Sequence, residues 1–333
     1  MSASNEVLKP GEPVALHRKA TPALYVALVV CTVLAVFVYK LRADGIFACP
    51  ATGYGTDSYL TDCTAKAYGD YDHGAFWFGL EPEAQRAAAA ADALIVGSSR
   101  LEFAFSGASV AKWFASIGAR YYLLGFSNTE NVVFVGPLLQ KLQPRAKVYV
   151  INVDRFFDDD RISPPVARIL QDRDSGKHYE EKQTWQSIHK VLCPTLPFLC
   201  GTAIAVYRER DTGVWRMNGT GRLEAEAVSD GQPKNADRWD HYAELGEKFL
   251  AQLPVARSCV VLTIVPTVET RRAEATAIAA KMGLPLITPQ LDGLRTFDGS
   301  HLEAASAERW SAAFLAAAGP RIRQCLGEAR AAS

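Results

Sequence analysis

Two short segments far apart in the chain carry the residue types that acyl chemistry needs. Gly97-Ser98-Ser99-Arg100 closes an apolar run, and Asp298-Gly299-Ser300-His301 stands near the C-terminus. A serine hydroxyl becomes a competent nucleophile when an imidazole takes its proton. The imidazole in turn needs a carboxylate to fix its tautomer and stabilise its charged form. Asp298 and His301 are three residues apart, a spacing that sets both side chains on one side of a helical turn. A tight strand-to-helix turn at the serine also aims backbone N–H groups at the place where an oxyanion forms. Each segment alone has a plainer reading, because Ser and Asp also cap helices. Their joint occurrence, in this order, favours chemistry. Two more polar clusters close apolar runs: Ser127-Asn128, with Asn131 nearby, and Asp154-Arg155.

These clusters need a frame to bring them together. Residues 93–96, 121–124, 148–153, 260–265 and 284–287 are short apolar runs, most of them closed by Gly, Asp or Pro, the pattern of buried strands. Helical patterns at 109–117, 131–142 and 270–281 lie between them, an alanine-rich one at 81–92 precedes them, and 303–318 follows. The alternation predicts an α/β domain over 81–325, a three-layer sandwich around a mostly parallel five-stranded sheet. Ligands in such sheets bind at the carboxyl ends of the strands, where Ser99, Asn128 and Asp154 fall. Residues 158–245 break the rhythm and read as an insertion that caps or lines a site, with some helix.

Between Lys19 and Lys40 lie 20 consecutive uncharged residues, enough to cross roughly 30 Å of hydrocarbon. The apolar stretch of a cleavable signal is shorter, about 7–15 residues, and Lys40-Leu41-Arg42 follows where small residues would. We read residues 20–40 as a retained transmembrane helix and 1–19 as a cytoplasmic tail. Residues 41–80, rich in Gly, Tyr and Asp, read as a membrane-proximal region. Lys9, Arg18 and Lys19 against Lys40 and Arg42 favour a cytoplasmic N-terminus, hence a C-terminal domain on the periplasmic or outer side. Of seven cysteines, Cys31 lies in the span and six follow it, an even set that fits an oxidising compartment. Cys49/Cys63 and Cys193/Cys200 are natural pairs by closeness, leaving Cys259 with Cys325. That pairing is one of the many that six cysteines allow, and six free thiols are the plainer alternative.

The 36 basic and 36 acidic residues cancel, which argues against a nucleic-acid binder. No repeat points to a solenoid or propeller. Asp158-Asp159-Asp160 suggests a metal, yet adjacent carboxylates diverge, and a solvated loop is the preferred reading. No metal or cofactor is expected. His73, His178, His189 and His241 have no partners by spacing. Trp185, Trp215 and Trp239 suit either core packing or stacking on sugar rings. Asn218-Gly219-Thr220 matches a glycosylation sequon.

The order of motifs resembles the SGNH (GDSL-like) hydrolase superfamily over about residues 92–320. Gly-x-Ser follows the first strand, Gly-x-Ser-Asn the second, and Asp-x-x-His stands near the C-terminus. In that family the nucleophile follows Gly-Asp. Ser98 replaces the aspartate here, so the resemblance implies Ser99 as nucleophile, with Asp298 and His301 completing the triad. It implies the backbone N–H groups of Ser99 and Asn128 as oxyanion donors. The family's third-strand Gly-x-Asn-Asp is replaced by Asn152-Val153-Asp154-Arg155, and an aspartate donates to an oxyanion only when protonated. Asp154 then serves the site or bonds the serine loop, and Arg100 or Arg155 supplies positive charge. The anchor resembles a subset that works with membrane-bound O-acyltransferases, such as the proteins of teichoic-acid D-alanylation and alginate acetylation. Membership implies an esterase or O-acyltransferase acting on envelope or extracellular polysaccharide. A non-catalytic accessory that binds glycan or such a membrane partner is the alternative.

Overall fold

The computed structural model describes residues 22–55, 57–65, 68–128, 130–218 and 225–331, and the chain divides into units 1–40 and 41–333. The expected cytoplasmic tail, the first residues of the expected span and positions 219–220 of the sequon lie outside the described residues. Helix α1 (Pro22–Ala43) has 22 residues, about 33 Å of rise, and none is buried. Its mean hydropathy reaches 2.4, and among the described residues it is the one helix long and apolar enough to cross a membrane. Its one hydroxyl-bearing threonine, Thr32, returns a hydrogen bond to Leu28 O at 2.8 Å, which suits an apolar surrounding.

The second unit opens with β1 (Ser58–Cys63), β2 (Gly69–Asp70), α2 (Asp72–Phe78) and α3 (Pro82–Ala90). Then come β3 (Ala93–Ser98), α4 (Ser99–Phe105), α5 (Ala108–Ser116), β4 (Tyr121–Phe126), α6 (Val132–Leu142) and β5 (Val148–Asn152). The insertion holds α7 (Pro164–Gln171), α8 (Ser175–Thr195), β6 (Ala205–Glu209), β7 (Trp215–Asn218), β8 (Glu226–Ala227) and α9 (Trp239–Leu250). The chain ends with β9 (Val260–Thr263), α10 (Arg272–Lys281), β10 (Arg295–Thr296) and α11 (Ala304–Ala331).

The central sheet is parallel, in the order β4-β3-β5-β9. Every residue of these strands is buried, which is why they read as unbroken apolar runs rather than alternating ones. Successive side chains feed two cores. Leu94, Val96, Tyr122, Leu124, Tyr149 and Ile151 join Phe134 and Leu138 of α6, whereas Ala93, Ile95, Leu123 and Val150 join Phe114 of α5 and Trp310 and Phe314 of α11. The sheet has four strands, not the expected five. Residues 284–287 make a single parallel bridge, Leu262 to Leu286. Pro285 accepts from Leu262 N at 3.1 Å but has no N–H to give, so the pairing goes no further than Ile287 N on Leu262 O at 2.8 Å.

Residues 41–80 carry a strand that joins the rest of the unit. β1 pairs antiparallel with β6 of the insertion, giving a second sheet in the order β2-β1-β6-β7. The cysteines form Cys49–Cys63, Cys193–Cys200 and Cys259–Cys325, and Cys31 stays free. Cys49–Cys63 fastens β1 to the segment before it. Cys259–Cys325 fastens α11 to the start of β9.

Candidate active site

Ser99 sits at the first position of α4, directly beyond the carboxyl end of β3. Ser98 before it is extended (φ −98°, ψ −175°), so the chain turns from strand to helix within one residue. Two glycines permit the close approach this requires. A Cβ on Gly97 would stand 2.9 Å from the Asn152 Cβ, and one on Gly125 would stand 2.7 Å from Ser98 O. α4 can therefore lie flat on β4 only if position 125 has no side chain.

His301 arrives from the other end of the chain, on the loop between β10 and α11. Asp298 shapes that loop. Its Oδ1 accepts from Ser300 N at 3.0 Å and His301 N at 2.8 Å, while Oδ2 meets His301 Nδ1 at 2.7 Å. One carboxylate thus both shapes the turn and orients the ring. Burial pushes the Asp298 carboxyl up, but the bonds from the His301 ring and from the backbone N–H of His301 and Ser300 outweigh it and hold the group below its ordinary range. With Nδ1–H given to Asp298, His301 Nε2 is left to accept from the Ser99 hydroxyl, 2.8 Å away. Phe297 stacks on the imidazole at 5.5 Å and Phe103 meets it edge-on at 4.9 Å, which fixes the ring plane.

Arg100 and Asp154 are joined to each other. The Arg100 guanidinium pairs with the buried Asp154 carboxylate, and its Nε donates to Ser300 Oγ at 2.9 Å. Arg100 thereby ties the serine helix, the end of β5 and the histidine loop into one frame. Asp154 is consumed in that pair. Asn152 Oδ1 accepts from Val265 N at 3.1 Å, and its buried Nδ2 has no hydrogen-bond partner among the described residues. Asn128 follows β4 in the left-handed region (φ 62°), is exposed, and donates from Nδ2 to Ser127 Oγ at 2.9 Å. No hydrogen bond links it to Ser99, His301 or Asp298.

Two buried charge networks escaped the sequence reading. Arg208 of β6 is fully buried and donates to Asp72 Oδ2 at 2.7 Å, to Glu102 Oε1 at 3.1 Å and to the carbonyls of Leu123 and Gly125. Burial raises the Glu102 carboxyl to about 8, with Arg208 and the Gly125 N–H pulling against it. Glu102 lies one turn beyond Ser99 on α4. The second network is a line of side chains: Asp70 Oδ1 to His73 Nδ1 at 2.8 Å, His73 Nε2 to Glu130 Oε2 at 2.8 Å, and Ser163 Oγ to the same Oε2 at 2.7 Å. Burial lowers the His73 pKa, but Asp70 and Glu130 more than offset it and bring it up to about 10. A sequence signal for His73 did exist. Asp70-x-x-His73 repeats the spacing of Asp298-x-x-His301.

The remaining candidates have structural occupations. Arg238 meets Asp159 at 3.3 Å and Asp160 at 2.7 Å, and His241 lies 3.0 Å from Asp159, so two of the three carboxylates already have partners. Cys193 and Cys200 beside His189 are bonded to each other and offer no thiolate. Trp215 is buried edge-on against Phe103, Trp239 is half-buried with its indole N–H on Lys234 O, and Trp185 is half exposed. Comparison of the chain with known protein families, with curated proteins and with solved structures finds no match.

Proposed function

We propose that this chain is a membrane-anchored serine esterase or O-acyltransferase of the SGNH type, built on a three-layer α/β sandwich. It acts on acyl groups of cell-envelope or extracellular polysaccharide from the outer face of the cytoplasmic membrane. One observation carries the reading: the unbroken line from Ser99 Oγ through His301 Nε2 and Nδ1 to Asp298 at 2.8 and 2.7 Å. Ser99 Oγ attacks the acyl carbonyl carbon and passes its proton to His301 Nε2. Asp298 stabilises the imidazolium that forms. The backbone N–H groups of Ser99 and Asn128 receive the oxyanion. Collapse breaks the acyl–oxygen bond, His301 returns its proton to the leaving alcohol, and the acyl group stays on Ser99. Water or a polysaccharide hydroxyl then attacks, with His301 again as base.

The Arg100–Asp154 pair favours a second reading, because it leaves no side-chain donor for an oxyanion at Asp154. In that reading the domain is an accessory that binds glycan or a membrane-bound O-acyltransferase. A fluorophosphonate probe separates the two. Full-length protein in detergent is expected to take the label on Ser99, and His301→Ala is expected to lose it. Folded protein that stays unlabelled, or a Ser99→Ala strain that still acylates its polymer, would give the accessory reading precedence.

A further inference from the structure

Beside the end of β5 the structure holds a polar pocket of about 190 Å³, lined among others by Asn128, Asn131, Arg155, Asp158, Arg161 and Ser163. Most of the polar groups in it already have occupations. Asn131 Nδ2 holds the carbonyls of Asp158 and Arg161 at 2.7 and 2.8 Å, and its Oδ1 caps α6 through Val133 N. Ser163 donates to Glu130. Asp158, the lining carboxylate, accepts Asp160 N on Oδ1 at 2.8 Å. The two arginines differ. Neither guanidinium has a hydrogen bond or ion pair among the described residues, although Arg155 is half-buried and Arg161 exposed. The nearby Arg271 is already paired, with Glu274 at 3.2 Å.

Arg155 is also held in the left-handed region, at φ 55°, a conformation that costs a side chain of its size. Burial first, then the neighbouring Arg271 and Arg161, hold its guanidinium below the usual arginine range against the smaller pull of Asp154 and Asp158. A half-buried arginine in the left-handed region, beside two like charges and with no hydrogen-bonded partner among the described residues, is stabilised by an anion placed against it. The pocket shares one residue with the proposed oxyanion donors. Asn128 stands on its wall, and Arg155 is the residue after Asp154, which grips Arg100 beside Ser99.

We propose that the Arg155–Arg161 pocket binds a carboxylate or phosphate group carried by the polymer that receives or loses the acyl group. The substrate is then an anionic glycan or polyol, and the pocket sets the register of its hydroxyl at Ser99. This rests on the acyl-transfer reading above. Guanidinium forks take both oxyanions, and about 190 Å³ admits one such group with part of a ring, not a whole chain.

The test uses full-length protein in detergent micelles and measures Kd for three probes: an oligogalacturonate, the same oligomer as its neutral methyl ester, and a glycerol-phosphate oligomer. At least one charged oligomer is expected to bind, and the ester at least about tenfold more weakly. Arg155→Asn suits a positive φ and should fold. It and Arg161→Gln are each expected to weaken the charged oligomer by roughly ten- to a hundredfold, the range for a lost charge-assisted hydrogen bond. Binding of galacturonate alone identifies a carboxylate source, and of glycerol phosphate alone a phosphate source; either supports the pocket. Equal affinity for acid and ester, no binding of any probe, or wild-type affinity in both variants overturns it. Binding needs no nucleophile, so the two readings fail separately. Protein labelled at Ser99 that ignores anions loses the pocket, and protein that binds the oligoanion without labelling loses the acyl chemistry.

Discussion

His73 and His301 share a spacing from an aspartate, yet their surroundings give them opposite tasks. His301 has one carboxylate and one hydroxyl, and keeps Nε2 free to accept a proton. His73 is fully buried with a carboxylate on each ring nitrogen, so both nitrogens donate and the ring stays charged. The third partner decides the role, and it comes from 57 residues away for His73 and 202 for His301. The same spacing stands at both pairs, yet the sequence reading took up only Asp298 and His301, because a serine at a strand end could partner them, and passed over Asp70 and His73. The folded pKa of His73, about 10, lies above the unfolded value of about 6.5. Its contribution to stability is complete below about pH 6.5 and is lost as pH rises through about 10. His73→Gln should cost most stability at about pH 6 and least near pH 10. Urea unfolding of both proteins across that range gives the difference directly, and a difference independent of pH would remove the charged histidine from the account.

At the scale of elements, the central strands were legible because burial on both faces leaves uninterrupted apolar runs. The fifth run looked the same, but its composition hid a hydrogen-bonding defect, since Pro285 cannot donate to a ladder. β1 was illegible for another reason. Ser58-Tyr-Leu-Thr-Asp-Cys63 mixes polar and apolar residues, and its partner β6 lies some 145 residues on, with the charged Arg208 inside it. α4 was missed because it has only 7 residues and abuts β3 without a loop. Cysteine spacing, by contrast, marked the two close bridges, and Cys259–Cys325 was the pair that remained. Those bridges should differ in strength by the loops they close. Cys259–Cys325 spans 66 residues and Cys193–Cys200 spans 7, which gives about 4 and about 2 kcal/mol in the chain-entropy account. The paired serine variant at 259 and 325 should melt well below the one at 193 and 200. The reverse order would mean that α11 is held by Trp310 and Phe314 alone and that the bridge adds little.

At the scale of the whole second unit, two sheets of different type must hold one site, and Arg208 is where they meet. It rises from β6 in the antiparallel sheet and ends on carbonyls of β4, on Glu102 of α4 and on Asp72 of α2. Nothing in a sequence predicts this, because a buried arginine becomes tolerable only once two carboxylates and several carbonyls converge on it. Burial first, and Asp72 beside it, leave Glu102 easy to protonate despite Arg208. Its folded pKa of about 8 lies above the unfolded range, so the stability it contributes while protonated is lost as pH rises through about 8. Removing only the cation should be severe. Arg208→Met leaves the buried Asp72 and Glu102 carboxyl groups without their shared donor, with an expected loss on the order of 3–5 kcal/mol. It should also weaken fluorophosphonate labelling, since Glu102 and Ser99 share one short helix. Adding Asp72→Asn and Glu102→Gln to that variant removes those carboxyl groups and should recover much of the stability. Labelling should return less fully, because neutral groups no longer draw α4 toward the second sheet. Unfolding free energies and labelling rates of the single and triple variants separate these effects. If stability returns and labelling returns with it in full, Arg208 serves the fold only; a lag in labelling assigns the insertion sheet a part in positioning Ser99.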